Sequence, residues 1–330
     1  MRAPRFWWEK PGLASILLAP LAAIYGGITG VRLARAGARV GIPVICVGNP
    51  TVGGAGKTPT ALAIAKLLLA VGEKPAFLTR GYGGKLAGPV MVTAAHRAVE
   101  VGDEPLLLAR VAPTVVARNR VAGARLAKEK GASVIVMDDG FQNPSLAKDL
   151  SILVVDGVRG LGNGQVFPAG PLRAPLGPQL ARASALLVVG AGPGREDLPE
   201  IPAVPIFHAR LEPDDASVAA LKGTKVLAYA GIGDPDKFFA TLERAGIEAQ
   251  SWRRFADHHA YDFSDAASLL AEAKRLSLQL VTTEKDRARL TGNADLASLA
   301  AQTRTLPVTL QVVEVQAFGK LILNRLSRYA

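Results

Sequence analysis

The sequence predicts an α/β protein: a mostly parallel sheet with helices on both faces, a second, smaller α/β domain, and an apolar helix at the N-terminus. Three observations carry this reading. Short β-branched apolar runs alternate with longer helix-like stretches, as in strands joined by crossover helices. A glycine-rich stretch, residues 48–58 (GNPTVGGAGKT), sits between one such run and one such helix. After a Gly/Pro-rich middle, the same alternation starts again.

The first element is residues 11–31, 21 residues without a charge, close to the roughly 20 that span a bilayer. Pro20 interrupts them, and basic residues flank both ends, with Arg2, Arg5 and Lys10 before and Arg32, Arg35 and Arg39 after. That symmetry sets no orientation across a membrane. With Phe6, Trp7 and Trp8 as an interfacial aromatic anchor, the segment reads as a helix lying in or dipping into a membrane from the cytoplasmic side. A helix packed on the protein's own core is the competing reading.

Residues 42–47 (IPVICV) read as the first strand and residues 60–71 (TALAIAKLLLAV) as a buried helix. A strand, a glycine loop and a helix are the context of a P-loop, which makes the fold P-loop NTPase-like. Gly53, Gly54 and Gly56 let the backbone curl so that the N–H groups of Thr51, Val52, Gly53, Gly54, Ala55 and Gly56 face phosphate oxygens. Lys57 is placed for the β- and γ-phosphates of ATP and Thr58 for Mg²⁺. Thr51 stands where the motif asks for its first glycine.

Strands are expected next at 75–79, 114–117, 133–137, 151–155 and 186–189, with a helix at 119–130 between two of them. Residues 133–140 (SVIVMDDG) put two carboxylates after an apolar strand, so Asp138 or Asp139 can reach Mg²⁺. Residues 157–178 form a Gly/Pro-rich passage too long for an ordinary connection, and 190–205 read as a linker. Beyond it come a strand at 225–230, helices at 236–245 and 264–276, a strand at 278–282 and a last strand at 307–315. The domains expected are a membrane-associating segment over 1–40, a P-loop kinase domain over 41–210 and a smaller α/β domain over 211–330.

Composition narrows the partners. At 330 residues the chain can bury two cores, and 49% hydrophobic against 20% charged residues excludes disorder. One cysteine, Cys46, excludes a disulfide framework and points to a reducing, cytoplasmic setting. A formal charge of +11 calls for an acidic partner, namely an anionic membrane surface or a phosphorylated substrate. Aromatic residues are only 5% and no long basic tract interleaves with them, so no nucleic acid is expected.

Arg80, Tyr82, Arg118, Arg120 and Arg173 lie at strand ends or in loops, where guanidinium groups suit a phosphorylated acceptor. Asp103 reads locally as a helix cap, and His258 and His259 are candidates for activating a hydroxyl, with at least one of the two structural or exposed.

VGNPTVGGAGKTP, LTRGYGG, VGDEP, RNRVAGA, VIVMDDGFQ, FPAGPLR, AGIGDPDKFF, FADHHAY and VTTEKD together resemble the tetraacyldisaccharide 4'-kinases, in family order over nearly the whole chain. The resemblance implies transfer of the ATP γ-phosphate to the 4'-hydroxyl of a tetraacyldisaccharide 1-phosphate, giving lipid IVA in lipid A synthesis. It implies that Asp103 is the base, with His258 as its partner, and that Lys57, Thr58, Asp138 and Asp139 serve ATP and Mg²⁺. It implies as partners the lipid A disaccharide precursor and an anionic membrane surface, met by a monomer at the cytoplasmic face of the inner membrane. Many members read PLRE where this chain has Ala174, which removes a carboxylate that could assist the metal. A membrane-associated P-loop ATPase of the partitioning or chaperone type is the alternative. A GTPase is disfavoured because residues 283–286 (TEKD) place the lysine one position late for base recognition.

Overall fold

The computed structural model describes residues 3–195 and 204–326. Its strands, in chain order, are β1 (Val44–Gly48), β2 (Pro75–Thr79), β3 (Val90–Met91), β4 (Thr114–Val116), β5 (Val134–Asp138), β6 (Leu150–Asp156), β7 (Ala185–Val189), β8 (Ile206–Pro213), β9 (Val226–Ala230), β10 (Ala249–Arg254), β11 (Gln279–Thr282), β12 (Thr303–Thr305) and β13 (Val308–Val312). The helices are α1 (Leu13–Ala34), α2 (Lys57–Ala70), α3 (Ala98–Val101), α4 (Asp103–Leu108), α5 (Arg120–Glu129), α6 (Leu176–Leu180), α7 (Asp215–Leu221), α8 (Pro235–Arg244), α9 (Phe263–Leu276), α10 (Glu284–Leu290), α11 (Ala297–Gln302) and α12 (Val315–Leu326).

The large sheet runs β13-β8-β7-β6-β1-β5-β2-β4-β3, with only the two edge strands antiparallel to their neighbours. Its central strands β1, β5 and β6 are buried along their whole length, which is why they read as unbroken apolar runs. Val47 sits beside Asp138 in the parallel register, so the glycine loop after β1 and the carboxylates after β5 emerge side by side. The small sheet, β10-β9-β11-β12, is wholly parallel and has its own cores on either face.

The last strand, placed with the smaller domain, pairs instead with β8 at the edge of the large sheet. After it α12 sends Phe318, Ile322 and Leu326 into the core beneath α2, where Phe318 meets Phe207 with ring centroids 5.2 Å apart. The small domain is therefore an insertion between β8 and β13, and residues 211–330 are not one unit. Strand pairing across about a hundred residues has no local signal. Of the linker expected at 190–205, residues 196–203 lie outside the described residues, and β8 follows close behind it.

Helix α1 lies against the body with a face of small residues. Ser15, Ala22 and Gly26 are buried, and a Cβ on Gly26 would sit 3.5 Å from Pro175 and 3.7 Å from Val166. The other face, with Leu13, Ile16, Leu17, Leu21, Ile24, Ile28 and Val31, is exposed. This answers the competing reading of a helix packed on its own core, since only 17% of its apolar window is buried. By length and composition α1 could cross a membrane. The aromatic anchor is corrected at Trp7, whose ring is buried on Phe167 and whose Nε1 donates to the Pro168 carbonyl at 3.0 Å. Residues 157–178 thus form a platform, gripping α1 through Asn163 and Ser15 on one side and the glycine loop through Pro171 and Val52 on the other.

Candidate active site

The loop after β1 is shaped by contacts that exclude larger residues. A Cβ on Gly48 would fall 2.4 Å from that of Phe141, and Gly53 and Gly56 have φ of 114° and 93°, the left-handed region that glycine tolerates. Asn49 Nδ2 braces the curl from inside by donating to the carbonyls of Thr51 (2.5 Å) and Gly53 (3.0 Å). From outside, Val52 N donates to the Pro171 carbonyl and Arg173 Nε to that of Thr51, at 2.8 and 3.0 Å. A Cβ on Gly54 would meet no atom within 4 Å, so neighbouring contacts do not require glycine there. The Ala55 methyl is buried in the core and Val52 points partly to solvent, leaving backbone N–H groups as what these two can offer.

Helix α2 opens with Lys57 and Thr58, placing its positive end behind the loop. Burial holds the Lys57 ammonium below its ordinary range, and Asp139, 3.8 Å away, works against that. Asp139 also takes Arg173 Nη1 at 2.8 Å, so its carboxylate holds two cations at the mouth of the loop. Its own φ of 53° turns the chain sharply away from β5.

Asp138 is fully buried, and Thr58 Oγ1 donates to its Oδ2 at 3.1 Å while Oδ1 has no hydrogen-bond partner. Burial, Glu104 and Asp139 push its carboxyl up to about 7. An orphaned carboxylate oxygen beside a threonine hydroxyl at a phosphate loop fits a hard divalent cation that takes its other ligands from water and phosphate. Among the described residues no cluster of three or more His, Cys, Asp or Glu side chains could hold a metal alone. Ala174 is buried in the apolar core.

The second half of the site comes from both domains. Asp103, 2% exposed, begins α4 after Gly102, which has a φ of 94° and where a Cβ would fall 2.5 Å from the Tyr82 carbonyl oxygen, so the position demands glycine. Its Oδ2 receives Arg289 Nε at 2.8 Å and stands 3.2 Å from His258 Nδ1. Burial opposes its charge, but His258, Arg289 and Lys285 outweigh that and hold the carboxyl far below the usual range. Hydrogen bonding to Asp103 raises His258 in turn. Tyr82, 64% exposed, lies with its ring centroid 5.0 Å from that of His258. The adjacent histidines part ways, since His259 Nε2 pairs with Asp265 at 2.7 Å and stacks on Phe255.

The predicted arginines separate. Arg173 is at the loop, Arg80 and Arg118 are exposed, and Arg120 is buried with Nη1 donating to the Ala117 carbonyl. Burial lowers Arg120 to about 10, and Asp139 and Asp138 act on it from the site side. It lies beneath the carboxylates and is not a surface arginine.

Sequence reasoning missed Glu104, Lys285, Asp286 and Arg289. Lys285 reaches Glu104 at 2.5 Å and bridges the domains. Burial works against the Lys285 charge, yet Glu104 and Asp103 hold it above its ordinary range. Asp286 is buried and accepts from Gly231 N, Tyr261 Oη and Thr283 Oγ1. The TEKD string thus builds a helix start and a domain junction. Glu104 in VGDEP and Lys285 and Asp286 in VTTEKD lie within family-like segments, which carry no role for them, and Arg289 lies outside any such segment.

The chain matches the family profile described as tetraacyldisaccharide-1-P 4'-kinase over residues 14–327. It is 51% identical over 331 residues to a tetraacyldisaccharide 4'-kinase of Afipia carboxidovorans, covering 99% of this chain and 98% of the relative. A Rhodopseudomonas palustris protein of the same name is 54% identical, with 99% and 97% covered. One from Bradyrhizobium diazoefficiens is 57% identical, with 89% and 88% covered. Among solved structures, LpxK from Aquifex aeolicus in complex with ATP superposes with a TM-score of 0.77 at 29% identity, covering 94% of this chain and 99% of that one.

Proposed function

This chain belongs to the tetraacyldisaccharide 4'-kinase family, and from that premise we propose that it transfers the γ-phosphate of ATP to the 4'-hydroxyl of a tetraacyldisaccharide 1-phosphate, giving lipid IVA. The observation that carries this reading for its own residues is the meeting of two half-sites. A phosphate loop with Lys57, Thr58 and Asp138 stands beside an ionised Asp103 that His258 holds.

The loop N–H groups and Lys57 bind the ATP phosphates, and Lys57 exchanges its Asp139 contact for phosphate oxygens as they arrive. Thr58 and Asp138 are the residues that would hold Mg²⁺, with Asp139 nearer Lys57 and Arg173. The ion would supply neutralisation of charge on the β- and γ-phosphates. Asp103 accepts the 4'-hydroxyl proton as that oxygen bonds to the γ-phosphorus and the bond to the ADP oxygen breaks. A carboxylate held below its usual range is a weak base, and it suffices here because a loose phosphoryl transfer makes the hydroxyl acidic only as the new bond forms. Tyr82, Arg80 and Arg118 serve the open side as substrate contacts, while Arg173 holds the Asp139 carboxylate and the buried Arg120 adds positive charge near both carboxylates.

The exposed apolar face of α1 supports a monotopic placement at the cytoplasmic membrane surface, where a four-chained substrate resides. The test is label transfer from γ-labelled ATP into detergent-dispersed tetraacyldisaccharide 1-phosphate, run beside Lys57→Ala and Asp103→Ala. Labelled lipid that both variants lose by a factor on the order of 10²–10⁴ is the expected result. Phosphate release without labelled lipid, from folded protein, would transfer the assignment to a membrane-associated ATPase.

A further inference from the structure

Arg289 occupies an unusual position for a residue outside every recognised motif of the site. It is 7% exposed at its side chain and sits on α10 of the small domain, yet its Nε binds the base of the large domain at 2.8 Å, 186 positions away in sequence. Its Nη1 donates to the Gly231 carbonyl at 2.8 Å and to Asp286 Oδ1 at 3.0 Å. Asp286 is itself locked by Gly231 N, Tyr261 Oη and Thr283 Oγ1. The guanidinium is therefore aimed by the small domain's rigid interior.

One donor is left over. Nη2 is buried and makes no hydrogen bond among the described residues. In a planar guanidinium Nε–H and one Nη2–H share an edge, so this orphan N–H faces the same side as Asp103. A buried unpaired donor costs about 1–3 kcal/mol, and it persists where a ligand supplies the partner. On the proposed reaction the ligand that comes to Asp103 is the acceptor sugar, whose hydroxyl oxygens are the acceptors this edge lacks.

We propose that Arg289 is a positioning residue for the phosphoryl transfer, clamping the Asp103 carboxylate from the small domain and offering its Nη2 edge to an oxygen of the acceptor sugar. The inference rests on Asp103 serving as the base. It adds that the base is assembled from two domains. Asp103 Oδ1 accepts from the Glu104 N–H of its own helix at 2.9 Å, but both side chains that hold Oδ2, His258 and Arg289, come from the small domain, so separation of the domains strips them from the base while the phosphate loop stays intact. Discharge of ATP onto water is then limited whenever the domains part.

The charges around Asp103 are known from every side. α10 presents Arg289, Lys285 and Asp286, the loop after β10 presents His258 and Asp257, α4 itself carries Glu104, and Lys57 acts on Glu104 from the start of α2. Removing Arg289 leaves two cations near the carboxylate, so its ionisation moves toward the ordinary value without collapsing.

The experiment compares Arg289→Lys and Arg289→Met with the full-length parent, measuring kcat, KM for ATP, KM for the lipid acceptor, and kcat/KM against pH. The expected result is kcat lower by about 10- to 100-fold, lipid KM raised and ATP KM unchanged. An acid limb should also move up by roughly 1–3 pH units in Arg289→Met, the range an adjacent opposite charge controls. Arg289→Lys keeps the charge and loses the fork, so it should restore the acid limb but not the lipid KM. Should Arg289→Met fail to fold, Arg289→Lys alone decides through its lipid KM. A parental kcat, lipid KM and pH profile in a variant with only a lowered melting temperature overturns the proposal. Full activity in Asp103→Ala would instead remove the base reading on which it stands.

Discussion

His258 Nδ1 lies 3.2 Å from Asp103 Oδ2, joining a loop of the inserted domain to the first residue of a helix in the large one. The hydrogen bond raises His258 above its usual range, while Asp103 is held far below its own. Each group therefore stabilises the folded, domain-closed form in a definite window of pH. The His258 contribution is complete below about 6.5, the ordinary histidine value, and fades as pH climbs through the raised one. The Asp103 contribution is present above about 3.9 and is lost only as pH falls through its depressed value.

In Asp103→Asn the charge partner disappears and the side-chain volume stays. The His258 pKa, followed by its ring-proton NMR shift, should then drop from its raised value toward the ordinary range, since burial and Arg289 are opposed only by Asp257 once the Asp103 charge is gone. An unchanged titration would mean that the contact is not formed in solution.

The return of the chain to the large domain is also testable. Phe318 on α12 is 3% exposed and packs against Phe207 of β8. Phe318→Ala should cost about 3–5 kcal/mol in urea unfolding of the large domain, the range for a buried phenylalanine. A cost under about 1 kcal/mol would show that α12 is not part of that core.

The exposed face of α1 makes a third prediction. Leu17 and Ile24 are 79% and 64% exposed, so Leu17→Glu with Ile24→Glu removes little packing within the protein. The melting temperature should stay within a degree or two of the parent. Binding to anionic vesicles, read by co-sedimentation, should weaken roughly 100-fold or more, because each side chain contributes about 1.5–3 kcal/mol when buried in an apolar phase. Undiminished binding would place the membrane contact elsewhere, with the basic surface as the first alternative.

The parts of this protein whose physics is local are legible in its residues alone. The run 48–58 needs glycine at Gly53 and Gly56 for its left-handed turns, and a strand before and a helix after it are legible from β-branched and Ala/Leu-rich composition. The carboxylates Asp138 and Asp139 at a strand end, and the length and apolarity of α1, are equally readable in place. Everything that depends on which distant segments meet is set by the assembled fold. That β13 pairs with β8, that Trp7 turns inward, that Arg120 lies under the site, and that Arg289 holds Asp103 all follow from long-range packing. An arginine in KDRARL looks the same in sequence whether it faces water or a buried carboxylate. Its role is set by the desolvation and charge pairing that only the assembled domains create.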